Sequence, residues 1–302
     1  MIVENQTNLK VHFAGLENED FASVLHELSN VQYALFTVFP FIARKVGIKA
    51  MIQATTKPAT LQYLQDNFKH VIMDSGLFTL MFGAHAAQRD EKFIDNWYNL
   101  IIEFVAENQY TKTVVEVDCQ KILGVEKAWQ LREKMKLDLP NNRQINVFHK
   151  EDGQKGLERL IEFSDYIAIS VPELRHLGQK NYTEKIANYI KNKKPTIDIH
   201  LLGCTESKLL KKLNFCSTSD STSWQQVNRY GILKFNDGQK TNSCRNSNIN
   251  IDKLMDRYKE DLVPLLQRWY EVTPKKLDYY SKYALAVELL KKQYTFYAGN
   301  QD

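Results

Sequence analysis

The sequence predicts an α/β protein built as a (β/α)8 barrel with a C-terminal helical extension. Three observations lead there: eight short strand-like runs at wide intervals, helix-periodic segments between them, and aspartates at the ends of three runs, Asp74, Asp118 and Asp220. Neighbouring parallel strands end on one rim, so three such aspartates would bring their carboxylates into a single pocket.

The runs, in order, are KVHFAG from Lys10, VQYALFTVF from Val31, HVIMD from His70, TVVEVD from Thr113, QINVFH from Gln144, YIAIS from Tyr166, TIDIHLLG from Thr196 and FCSTSD from Phe215. Most are β-branched and apolar with little alternation, as strands buried on both faces tend to be. Between them FASVLHELSN from Phe21, ARKVGIKAMI from Ala43, KFIDNWYNLIIEFVAEN from Lys92, GVEKAWQLREKMK from Gly124, GLERLIEFS from Gly156, TEKIANYIKNKK from Thr183 and ESKLLKKLN from Glu206 carry apolar residues three and four apart. That is the spacing of a helix covering a sheet. An open doubly wound sheet shares the alternation, but even repetition and the lack of a G-x-G-x-x-G turn after the first run favour the barrel. It would occupy residues 1–224, with Asp74, Asp118, His149, Ser170, Gly203 and Asp220 at the C-terminal strand ends where barrel active sites form. In residues 225–302 the alternation stops. Gln226–Asn250 reads as a hairpin-like excursion around an Asn-Asp-Gly turn, and the chain from Ile251 reads as helices packed on the barrel.

Hydrophobic residues make up 43% of the 302 and charged residues 25%, an ordinary globular composition. No run approaches the roughly 20 apolar residues of a membrane span, and the N-terminus lacks a secretion-signal plan, so a cytoplasmic protein is expected. Cys119, Cys204, Cys216 and Cys244 are scattered singly, which suggests neither a disulfide framework nor a closed zinc site. The net charge of +4 permits a polyanionic partner without demanding one.

The candidate chemistry starts at Asp74-Ser75-Gly76-Leu77-Phe78. Gly76 permits a tight backbone, Ser75 adds a hydroxyl, and Phe78 offers a flat face on which a heterocycle could stack. The same residues also suit a capped helix N-terminus with Phe78 in the core. Asp118 shares its run with Glu116; acids inside a barrel mouth are costly unless paired or functional, and a carboxylate suits adjacent N–H donors such as a guanine edge. An ion pair with a lysine is the alternative. Asp220 stands among Ser217, Thr218, Ser219, Ser221, Thr222 and Ser223. Hydroxyls can solvate a carboxylate without neutralising it, leaving it able to attack a sugar anomeric carbon while a second carboxyl shuttles the proton. His149 and His200 both fall at the rim, and His149 is taken as a pocket contributor. Arg229, Lys234 and Lys240 suit a phosphate backbone, and so do the tail residues Lys275, Lys276, Lys282, Lys291 and Lys292 interleaved with Tyr279, Tyr280 and Tyr283. A solvated amphipathic helix explains that tail equally well. Trp224 suits a wedge or stacking surface, which base extrusion requires.

Asp-Ser-Gly-x-Phe at Asp74 to Phe78, the strand end at Asp118, His-Leu-Leu-Gly at His200 to Gly203 and the aspartate at 220 resemble, in order and spacing, the tRNA-guanine transglycosylase superfamily. HFAGLENEDF, LFTVFPF and DSTSW look closer to its phage-type branch, the 7-deazaguanine DNA transglycosylases. The resemblance runs from about Lys10 to Trp224 and implies exchange of guanine in a nucleic acid for a 7-deazaguanine without cofactor or metal. It implies Asp220 as nucleophile and Asp74 as acid/base, with Asp118 and Ser75 at the purine edge and Phe78 and Leu202 sandwiching the ring. Leu77, His149-Lys150 and Ser170-Val171-Pro172 depart from the tRNA enzymes, which carry a Gly, a Gln-Gly and a Gly-Gly there. Their C-x-C-x-x-C and His zinc site after the last strand is also missing, Cys244 standing alone. The expected partners are therefore DNA, with tRNA as the alternative, and a free base such as 7-cyano-7-deazaguanine, in the host cytoplasm if the chain is viral. A noncatalytic protein that binds 7-deazaguanine or nucleic acid is the rival of another class. A two-aspartate carbohydrate-cleaving barrel fits the carboxylates but not the base-binding arrangement.

Overall fold

Eight parallel strands close into a barrel in which β8 returns to pair with β1, and helices fill the crossovers: the fold is a (β/α)8 barrel. The computed structural model describes residues 9–48, 58–82, 90–109, 111–176, 181–204, 206–225, 232–236 and 241–245. In chain order the elements are β1 (Lys10–Ala14), α1 (Glu19–Ser29), β2 (Tyr33–Thr37), α2 (Phe39–Ile42), α3 (Pro58–Asn67), β3 (His70–Asp74), α4 (Leu77–Phe82), α5 (Glu91–Glu107) and β4 (Thr113–Val115). There follow α6 (Gln120–Leu123), α7 (Val125–Asp138), β5 (Arg143–Phe148), α8 (Gly153–Phe163), β6 (Tyr166–Ser170), α9 (Val171–His176), α10 (Tyr182–Lys193), β7 (Asp198–Leu202), α11 (Ser207–Lys212) and β8 (Thr218–Ser221).

Register decides which side chains enter the barrel, because residues paired across parallel strands share a face. Ala14 pairs with Leu35, Leu35 with Ile72, and Val147 with Ala168, and these residues form the interior apolar plug together with Val115, Ile145 and Tyr166. The same alternation carries Thr37 with Asp74, Ser170 with Leu202, and His12 with Asp220 onto the inward face. Apolar residues on the outward face, among them Val11, Phe36, Met73, Val114, Ile167 and Leu201, are buried in the core shared with the helices. The interior also holds the buried His12, whose Nε2 lies 2.7 Å from His70 Nδ1, while His70 Nε2 lies 3.0 Å from Thr113 Oγ1. Burial lowers both imidazoles, helped at His12 by His70 and His200 and at His70 by Arg143, His200 and Lys10; His70 falls to about 4, and both rings are neutral at pH 7.

Four local differences from the sequence reading have physical causes. Within the ARKVGIKAMI segment, of which residues 43–48 are described, Ala43–Val46 form a 3-10 turn stopped by Gly47 at φ 76°. Among the described residues the longer helix between β2 and β3 is α3, which begins at Pro58, whose fixed φ suits a first turn. The fourth strand ends at Val115 rather than Asp118, because Glu116 turns its carboxylate to the buried Arg132 at 2.6 and 2.7 Å. The second run pairs only over Tyr33–Thr37, and Pro40 directs the chain into α2.

Beyond the barrel, β9 (Ile232–Asn236) pairs antiparallel with β10 (Thr241–Arg245). The helices expected from Ile251 onward lie outside the described residues. Among the described residues no helix is long and apolar enough to cross a membrane.

Candidate active site

Asp74 is the last residue of β3, and its Oδ1 accepts the backbone N–H of Gly76 at 2.8 Å. Trp97 of α5, fully buried, donates its indole N–H to the Ser75 carbonyl at 2.9 Å and clamps the same turn from behind. Gly76 sits at φ +72°, and a Cβ there would lie 2.8 Å from Phe39 Cβ. Gly76→Ala is therefore expected to destabilise the fold by about 2 kcal/mol or more, through left-handed strain plus overlap, and to displace the Asp74 carboxyl. A denaturant titration against the unmodified chain measures it.

Burial first, then the neighbouring charges of Asp118, Asp220 and Glu17, raise the Asp74 carboxyl to about 7 against the opposing Gly76 hydrogen bond. The three aspartates thus converge, joined by a fourth carboxylate. Glu17, in the loop after β1, accepts the Thr37 N–H at 2.7 Å.

Asp220 lies on β8, where its Oδ1 accepts the Gly203 N–H at 2.6 Å and stands 3.3 Å from His200 Nε2. Gly203 makes that donation from φ +64°, packed so closely on Pro172 that a Cβ would come 2.9 Å from its Cγ. His200 is braced through Nδ1 by Thr218 Oγ1 at 2.8 Å.

Asp118 is paired, but with a histidine rather than a lysine. His149 Nε2 meets Asp118 Oδ2 at 2.9 Å, and His149 Nδ1 meets Glu173 Oε2 at 2.5 Å. Burial alone would lower the imidazole; the two carboxylates override it and raise His149 to about 10. Glu173 falls to about 2 although burial opposes it, because His149 and Lys121, the latter 3.3 Å away, favour its charge. The stability this imidazolium gives is complete below its unfolded value of 6.5 and is lost as pH rises toward 10.

Several sequence assignments need correction. Ser75 is 1% exposed and its Oγ faces the Leu77 N–H at 3.5 Å, so its hydroxyl shapes the turn instead of meeting a ligand. Gly76 likewise holds Asp74 through its N–H. His149, 3% exposed with both ring nitrogens engaged, is a support for Asp118 and not a wall of the pocket. Trp224 is no wedge: it is 0% exposed, packed edge-on against Phe21, with its indole N–H donated to Ala14 O at 2.9 Å. It closes the barrel outside β1, because a large apolar ring beside that strand gains more from burial than from the rim. Phe78, by contrast, is 63% exposed on α4, and Ser170 and Leu202 are half-buried at the ends of β6 and β7. Arg229, Lys240 and the tail lysines and tyrosines lie outside the described residues, while Lys234 falls on β9.

His149, Glu151 and Glu173 bring one donor atom each within 4.8 Å of the others. His149 already serves two carboxylates and Lys121 faces Glu173, so the group is an ion-pair network. Cys119, Cys204 and Cys216 are buried free thiols. Glu17, Glu173 and His200 are the rim groups that the sequence reading did not assign to the site.

No family model matches the sequence, and comparison with curated proteins finds no match. Among solved structures the chain is similar to an enolase protein from the environmental genome shotgun sequencing of the Sargasso Sea, at 11% identity and a TM-score of 0.39. The match covers 70% of this chain and 53% of the other, so the chain spans about half of that protein's length.

Proposed function

We propose that this barrel is a nucleic-acid base transglycosylase that exchanges guanine in DNA for a free 7-deazaguanine base through a glycosyl ester on Asp220. The observation that carries the reading is the rim itself: a carboxyl raised to about 7, Asp74, shares the inward face of the barrel rim with a second carboxylate, Asp220, which is oriented by the Gly203 N–H and lies beside the His200 imidazole. A carboxyl near neutrality can give and take a proton within one turnover. In the first step an Asp220 oxygen bonds to the sugar C1′ as the C1′–N bond to guanine breaks, and Asp74 delivers its proton to the departing base. In the second the incoming base gives its ring N–H proton to the Asp74 carboxylate while its nitrogen bonds to C1′ and frees Asp220. Two displacements return the base to the original face of the sugar.

Asp118 takes the purine N–H edge, and the exposed Phe78 with Leu202 offers apolar faces to the ring. The lone Cys244, where the tRNA enzymes carry a zinc site, favours DNA over tRNA. No cofactor or metal enters these steps, and the reaction belongs in the cytoplasm. The test is incubation of the full chain with DNA and separately with tRNA, with labelled guanine and then with 7-cyano-7-deazaguanine. Label in DNA supports the reading; label in tRNA alone moves the activity to tRNA, and binding without exchange makes the chain a noncatalytic base or nucleic-acid binder.

A further inference from the structure

We propose that His149 and Glu173 are positioning residues that hold the Asp118 carboxylate in the orientation in which it takes the N–H edge of a purine base. The inference rests on the base-exchange reading and deepens it by assigning recognition to a three-residue relay instead of to Asp118 alone. The relay joins three consecutive strand-end loops: Asp118 follows β4, His149 follows β5, and Glu173 opens α9 after β6. The Asp118 joint is buried and the Glu173 joint part-buried. His149 spans Asp118 at 2.9 Å and Glu173 at 2.5 Å, and its own backbone N–H is held by Asp152 Oδ2 at 2.8 Å. Glu173 Oε1 in turn meets Lys121 Nζ at 3.3 Å and lies 3.5 Å from the Lys150 backbone N–H.

A neutral imidazole donates through one nitrogen only, so holding two carboxylates at once requires the imidazolium. Its Nε2–H fixes Asp118 Oδ2, and the other oxygen, Oδ1, is bonded to none of the described residues. That oxygen is the one left for a base N–H. The positive ring also offsets the concentration of negative charge that Asp118 shares with Asp74 and Asp220 on the rim. Among the described residues the charged groups around His149 are Asp118, Glu173, Glu151 and Asp152, with Lys121 behind Glu173 and Lys150 beside Glu151.

The experiment uses the full-length chain and 7-cyano-7-deazaguanine as probe, with base affinity read by calorimetry and exchange kinetics read separately. Glu173→Ala is expected to weaken base binding and raise KM for the base by about tenfold, with kcat within about threefold. Glu173→Gln retains an acceptor for Nδ1–H but not the charge, and should bind as the unmodified chain does at pH 6, then lose affinity toward pH 8 as His149 deprotonates. The unmodified chain should hold its affinity across that range. The Gln variant keeps the test open if the Ala variant fails to fold. Unchanged affinity with a flat pH profile in the folded variants, or a fall in kcat alone, overturns the positioning role while leaving base exchange intact. Failure of the unmodified chain to bind any purine base overturns both.

Discussion

Asp220→Ala is expected to abolish base exchange, by about four orders of magnitude or more, and to leave no covalent protein–nucleic acid species on a denaturing gel. The reasoning is geometric. Asp220 is the inward residue of β8 at the rim, registered with His12 on β1, and its Oδ1 is fixed by the Gly203 N–H at 2.6 Å with His200 Nε2 at 3.3 Å. Alanine removes the only atom proposed to bond to C1′, and no neighbouring side chain can substitute, because Asp74 is reserved for the proton and Asp118 is tied to His149. The Gly203 N–H loses its acceptor, so a folding control by circular dichroism belongs beside the kinetics. Asp220→Asn separates the two effects: it keeps an acceptor for Gly203 but is a poor nucleophile, and should be as inactive as alanine with smaller loss of stability. Exchange at an undiminished rate in either variant removes Asp220 from the reaction.

Much of the barrel was legible because its signals are local. Runs such as HVIMD and YIAIS are short, largely apolar and set between helix-periodic segments, as buried parallel strands are, and period-two geometry then puts Asp74, Ser170, Leu202 and Asp220 on one side. What the sequence concealed depends on partners far along the chain. Glu173 looks like a helix-opening glutamate until β5 and β6 set it beside His149, 24 residues away. Glu116 and Asp118 read as a matched pair of acids, yet one is neutralised by Arg132 on α7 and the other by His149. Trp224 misled for the same reason: its aromatic character is visible in sequence, but the slot beside Ala14 that buries it is made by a residue 210 positions earlier.

Asp74→Asn should stop turnover and stabilise the protein, an opposition that separates a functional carboxyl from a structural one. Asparagine preserves the acceptor for the Gly76 N–H and the shape of the turn, but cannot release or take a proton at neutral pH. Loss of a positioned acid/base predicts a fall in exchange of about 10²- to 10⁴-fold, with nucleic-acid binding largely kept. The sign of the stability change follows from the raised carboxyl. Its value moves from 3.8 to about 7 on folding, so the folded state binds the proton more tightly than the unfolded chain. Its ionisation therefore costs nothing below about pH 4, costs increasingly between 4 and 7, and a constant amount above. Asp74→Asn removes that cost and should gain about 1–3 kcal/mol at pH 8, shrinking to nothing near pH 4. In the unmodified chain the first half-reaction, which needs Asp74 protonated, should slow as pH rises past about 7, and adduct formation measured in a single turnover reports it directly. Urea titrations at both pH values test the other half: equal stability at pH 8 would place Asp74 in ordinary solvent contact, with no reason to titrate near neutrality and no claim to the proton.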